Sequence, residues 1–162
     1  MAEKNGLHDP QANAASNQRQ DVLSVFDQPQ VTRDQILALQ ESMMGHEQVD
    51  CPVKHYFAPG LYAREITMPA GVCVVGKIHK HSHVYTISKG RCRVVTEFGS
   101  EVYEAPVSFV SLAGTKRAVY VEEEAIWTTY HPTVVCEVET DLEKIEKAVI
   151  AESYESLLEM MQ

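Results

Sequence analysis

The chain has 162 residues, 44% of them hydrophobic and 23% charged, and its 14 Lys and Arg against 23 Asp and Glu leave a formal net charge of −9. That length suits one domain with a real core. The acidic balance argues against nucleic acid or an anionic membrane as partner, because phosphate binding needs clustered Lys and Arg.

No apolar run approaches the roughly 20 residues that cross a bilayer, and Met1–Ser16 lacks a basic start followed by an apolar stretch. The expected setting is therefore soluble and intracellular. Residues 1–30 are rich in Asn, Gln, Asp and Ala, with Phe26 the only aromatic. Such a stretch buries too little apolar surface to offset its ordering entropy, and it reads as a mobile arm. Within it, Val22-Leu23-Ser24-Val25-Phe26 could dock on a partner or on the body.

Residues 31–50 read as a short helix and linker. Thr32 with Asp34-Gln35 supplies a capping start, Ile36, Leu37, Leu39 and Met43 an apolar face, and Gly45 a stop. From 51 to 138 the pattern changes to short apolar runs broken by turn residues. Strands are expected at 60–68, 72–78, 83–88, 91–98, 107–112, 118–121 and 126–130, broken at Pro69-Ala70-Gly71, Ser88-Lys89-Gly90, Gly99-Ser100 and Ala113-Gly114-Thr115. Many short strands with Gly-containing turns indicate an all-β sandwich or barrel.

Residues 139–162 read as one amphipathic helix capped by Thr140 with Glu143, its apolar stripe running from Leu142 and Ile145 to Leu158 and Met161. From Glu137 onward eight acids face two lysines, so this tail carries −6 of the −9. Cys51, Cys73, Cys92 and Cys136 are too scattered for a Cys-x-x-Cys motif and read as free cysteines.

The densest chemistry lies in His79-Lys80-His81-Ser82-His83. Alternation along a strand sends 79, 81 and 83 to one side, so three imidazoles can serve one transition-metal site. Gly76 through His83, with Gly90 closing a turn, resembles the first motif of the cupin superfamily: a Gly, a His-x-His pair, a carboxylate and a Gly. Ala105-Pro106 through Arg117 resembles the second motif, a Pro-x-Gly ahead of a His. Residues 55–135 resemble small cupin-like proteins encoded by tailed bacteriophages, through His55-Tyr56-Phe57-Ala58-Pro59-Gly60, Ser88-Lys89-Gly90-Arg91 and Trp127-Thr128-Thr129-Tyr130-His131.

That resemblance implies a mainly β fold: a single cupin-type antiparallel β-barrel, or jelly roll, flanked by the arm, the short helix and the C-terminal helix. The metal motif departs from the family. Counted back from Gly90, His79 takes the second histidine position, His83 the carboxylate position and Lys77 the first histidine position; with His79 and His81 as the pair, the carboxylate position holds Tyr85 or Thr86. Arg117 replaces the second-motif histidine, and an arginine stays protonated and cannot ligate a metal. His131 on the last strand is the substitute: His79, His83 and His131 would leave an open position, with His81 a fourth ligand or an exposed neighbour. The cofactor expected is one divalent transition metal, Zn, Fe, Ni or Mn, the competing reading being a barrel that has lost its metal. Arg117, beside Lys116, either binds an anionic ligand at the barrel mouth or pairs with Glu122-Glu123-Glu124. Trp127, Tyr62, Tyr103 and Tyr120 read as packing residues; Arg64 and Glu65 face opposite ways.

Cupin barrels host many activities, so the fold leaves function open. The arm and flanking helices favour a phage-encoded, non-enzymatic accessory or virion-associated assembly protein that can bind a metal. It would act in the host cytoplasm during infection or in the virion, as a homo-oligomer built through barrel edges and the Ile36, Leu37 and Leu39 face, with a phage structural protein or a host protein as further partner. The alternatives are a small metal-dependent oxygenase, isomerase or lyase, with Tyr85, Glu65 or His81 as acid or base, and a ligand sensor.

Overall fold

A computed structural model describes residues 22–133 and 138–162. Residues 22–26 form a helical turn, followed by α1 (Arg33–Met44), β1 (Val53–Ala58), β2 (Leu61–Met68), β3 (Cys73–Val75), β4 (Ile78–His79), β5 (His83–Thr96), β6 (Gly99–Glu104), β7 (Val107–Ser111), β8 (Arg117–Pro132), α2 (Leu142–Val149), β9 (Ile150–Ala151) and α3 (Tyr154–Met160). The fold is mainly β and antiparallel, as expected. Seven strands make one sheet in the order β1-β2-β8-β5-β6, with β3 beside β8 and β7 beside β5, and β4 pairs with β9 in a separate ribbon.

Two long strands organise this sheet. β8 pairs with β2 through its second half and with β3 through its first; β5 pairs with β7 through its first half and with β6 through its second. Each therefore runs from one layer of the jelly roll into the other. The bend falls where the β5–β8 register shifts, between Ile87 and Cys92. Gly90 sits there with φ of +88°, and a Cβ would run into the carbonyl oxygens of Glu123 and Glu124. Only glycine fits.

Between the layers lies a core of Met68, Tyr85, Ile87, Cys92, Val94, Val119, Val121, Ala125 and Trp127. A second cluster joins Phe26, Val31, Ile36 and Leu39 to Val95 and Ala118. Thr32 caps α1 in a capping box with Gln35, and Gly45 ends it. The Ile36 and Leu39 side chains are thus spent inside the molecule, and of the three helix residues in the expected oligomer surface only Leu37 stays exposed. Val22–Phe26 docks on the body in the same way; residues 1–21, most of the expected arm, lie outside the described residues, as does Cys136. Cys51, Cys73 and Cys92 are free thiols.

The C-terminal segment departs from one continuous helix. Asp141, not Thr140, caps α2, its carboxylate accepting from the amides of Glu143 and Lys144. Ile150 and Ala151 then leave the helix to pair with His79 and Ile78. β-branched Val149-Ile150 suits that extended exit, and Ser153 starts a new helix with a capping box to Ser156. The expected strands at 83–88 and 91–98 are one strand, as are those at 118–121 and 126–130, while β1 and β6 lie outside the expected set.

Candidate metal centre

The paired strands β5 and β8 and the separate β4–β9 ribbon bring three histidines together. His79 is fixed on the β4–β9 ribbon, where its carbonyl accepts from Gly114 N (2.8 Å) and the following amide, Lys80 N, donates to Val149 O (2.8 Å). His83 opens β5, and His131 stands near the end of β8, opposite Tyr62 of β2. Ring centroids lie 4.1 Å apart for His79 and His83, 4.9 Å for His79 and His131 and 5.0 Å for His83 and His131. One nitrogen from each falls within 4.8 Å of the others.

His83 and His131 are buried, each 5% exposed, and His79 is half-buried. Burial, with the neighbouring imidazoles adding to it, pushes the His79 pKa down to about 2 and that of His131 to about 4. For His83 burial also wins over the His81 carbonyl, and its pKa falls. All three rings are neutral at ordinary pH. His83 Nδ1–H donates to His81 O at 2.8 Å, so its Nε2 carries the free lone pair. That Nε2 and His79 Nδ1 are both buried without a hydrogen-bond partner. Buried polar atoms are rarely left so; a divalent ion coordinated by neutral imidazoles would satisfy both. The residues present fit such an ion.

His81 is exposed and takes no part in this group through its ring; its contribution is the carbonyl that orients His83. Beyond the histidines, a cavity of about 390 Å³ extends between the sheet and α2, with Ile66, Met68 and Trp127 on one side and Ile145 and Val149 on the other. Trp127, read as core, is buried and packs edge-on against Tyr85 (5.1 Å). Tyr85 itself stands edge-on to His83 at 4.6 Å, its hydroxyl bonded to Thr129 and its pKa raised by burial.

Arg117 corrects the alternative of a surface pair with Glu122–Glu124. It is buried, lies 4.6 Å over the Tyr85 ring, donates to Ser111 Oγ and lines the cavity. Glu122 instead binds Arg91 and Arg93, and Glu124 binds Lys89. Lys116 turns away, its ammonium on Gln40 (2.6 Å) and Gly76 O (2.9 Å). Of the Arg64-Glu65 pair, Arg64 lines the cavity, whereas Glu65 meets Lys54 at 3.4 Å on the outer face. Of the three residues considered as acid or base, Tyr85 lines the cavity, whereas Glu65 and His81 are not among its lining residues.

The sequence left open which of Arg64 and Glu65 turns inward, and it did not reveal the α2 wall or the pair His55 Nδ1 to Tyr62 hydroxyl (2.8 Å), in which Tyr62 also stacks on His131. A signal for Arg64 existed. Tyr62, Arg64, Ile66 and Met68 share one strand face by alternation, and three of the four are plain inward residues.

The site so defined is a tri-histidine pocket in an antiparallel β-domain. No protein-family profile matches the sequence, and no curated protein matches it. Solved structures with a similar fold include KdgF from Halomonas sp. (15% identity, 56% of this chain and 89% of that chain, TM-score 0.43). A cupin-2 domain containing protein from Shewanella frigidimarina is similar at 12% identity over 58% of this chain and 91% of that one, TM-score 0.42. Salicylate 1,2-dioxygenase from Pseudoaminobacter salicylatoxidans is similar at 15% identity, 74% of this chain and 35% of that chain, TM-score 0.47.

Proposed function

We propose that this chain is a cupin-type metal-binding protein whose His79, His83 and His131 hold one divalent transition metal at the floor of a small-molecule pocket. The observation that carries the reading is the pair of buried, partnerless ring nitrogens on His79 and His83, aligned with a third neutral imidazole. Three nitrogen ligands leave coordination positions free for a ligand from the cavity, which falls within the ordinary volume range of small-molecule sites. A bound metal would supply Lewis acidity toward an oxygen of that ligand. The protein's own part is to keep the imidazoles neutral, fix the His83 tautomer through His81 O, and supply an apolar wall through Ile145 and Val149.

The reading as a metal-dependent enzyme or ligand sensor gains from this cavity. The phage accessory reading draws on the arm, most of which lies outside the described residues, and on the acidic tail. Cobalt(II) titration of the metal-free protein, followed by visible absorption, tests the proposal. Saturation at one Co²⁺ per chain with d–d bands that vanish in His83→Ala supports it; no bands, or bands that persist in that variant, overturn it.

A further inference from the structure

The cavity carries a charge pattern that the metal alone leaves unexplained. Arg117 is 7% exposed and, among the described residues, has no carboxylate partner; its one side-chain hydrogen bond goes to the neutral Ser111 hydroxyl. A guanidinium presents five N–H donors in a rigid fork, and leaving its charge uncompensated in a buried setting is costly. The sequence makes room for it: a Cβ on Gly76 would stand 3.2 Å from Arg117 Cγ, so the glycine leaves space for the stem beside its backbone. Arg64 is a second half-buried cation on the cavity wall, and no ion pair among the described residues neutralises it. Among the described residues the one acid on that wall is Glu146, an exposed side chain already bound to Lys77. Two arginines therefore face a cavity with no unpaired carboxylate among the described residues, and a divalent metal at the histidines would add to the imbalance.

We infer that the pocket takes a small organic acid, its carboxylate held by Arg117 and Arg64 and its apolar body lying against Ile66, Met68 and Trp127. The fork geometry of arginine matches a carboxylate in a bidentate pair, and the apolar wall rewards a ring or short hydrocarbon rather than a sugar. The inference rests on the metal reading only for which end of the ligand faces the histidines; the arginine cradle exists without the metal.

Calorimetric titration of the full-length protein, metal-free and Zn²⁺-loaded, with benzoate and its neutral isostere benzamide tests this. Benzoate is expected to bind at least tenfold more tightly than benzamide in both forms, and Arg117→Gln to remove that preference. Arg64→Gln, at a less buried position, decides the matter if Arg117→Gln fails to fold, with a several-fold loss expected. Equal affinity for the two compounds, no heat from either, or an unchanged preference in the folded variants would overturn it. A protein that binds no Zn²⁺ yet keeps the benzoate preference defeats the metal reading and leaves this one standing.

Discussion

His79 and His83 stack with ring centroids 4.1 Å apart, although one is held by the C-terminal ribbon and the other begins the longest strand but one of the sheet. Two neutral imidazoles this close, each with a buried nitrogen that no protein group meets, make a poor core contact and a good ligand pair. The third member, His131, completes the group from β8.

This assigns distinct roles to neighbouring histidines. His83→Ala and His131→Ala should each weaken Zn²⁺ binding by at least a hundredfold in a chelator-competition assay, since each removes one of three ligands. His81→Ala should leave affinity within a few fold, because its carbonyl, not its ring, does the orienting. A loss in His81→Ala as large as in the other two would return that ring to the ligand set.

Acid should destabilise the metal-free protein earlier than its carboxylates alone would dictate. Unfolded, the three histidines take up protons near pH 6.5; folded, His131 resists to about 4 and His79 to about 2. The unfolded state thus binds more protons below 6.5, so stability is intact above that pH and declines as pH falls toward the folded values. Urea midpoints between pH 7.5 and 5 should drop, and the drop should be shallower in His131→Asn. A midpoint that holds or rises toward pH 5 contradicts the neutral-imidazole assignment.

Arg117→Met replaces a buried charge without a counter-ion by an apolar side chain of comparable reach. In carboxylate-free buffer the metal-free variant should melt at or above the wild-type temperature, as replaced buried charges often do. It should also bind Zn²⁺ no more weakly, one nearby positive charge having gone. A large loss of stability would mean that the Ser111 hydrogen bond and the Tyr85 contact already compensate the charge.

Gly90→Ala tests the bend. With φ of +88° and the Glu123 and Glu124 carbonyls in the way of a Cβ, the substitution should cost about 2 kcal/mol or more by chemical denaturation. Gly99→Ala, where the added carbon meets nothing within 4 Å, should cost less despite its own positive φ of +145°. Equal costs would show that strain alone, not the β5–β8 approach, sets the requirement at Gly90.

Local signals were readable wherever one element decided its own fate. Thr32 and Gly45 bound α1 as their chemistry requires, and the period-two runs mark most strands. What escaped depended on partners distant in sequence. Ser88-Lys89-Gly90 looks like a turn, yet pairing with β8 carries β5 straight through it with a shifted register. β6 has little apolar pattern because it is an edge strand with Glu101 and Val102 exposed. The helical stripe from Leu142 onward ignores that Ile150 has a better partner in His79. His131 could be named from its place on the last strand, but its meeting with His79 and His83 needed β8 between β2 and β5. Arg117 could be seen as a cation; that it turns inward over Tyr85 could not.

Three histidines that hold one metal ion should retain it through purification, so the decisive measurement is metal content. Plasma mass spectrometry on the full-length protein, purified without chelators or an affinity tag that binds metal, should find close to one Zn, Fe, Ni or Mn per chain. Less than about a tenth of an ion, with no uptake when each of those metals is then offered, would contradict the account.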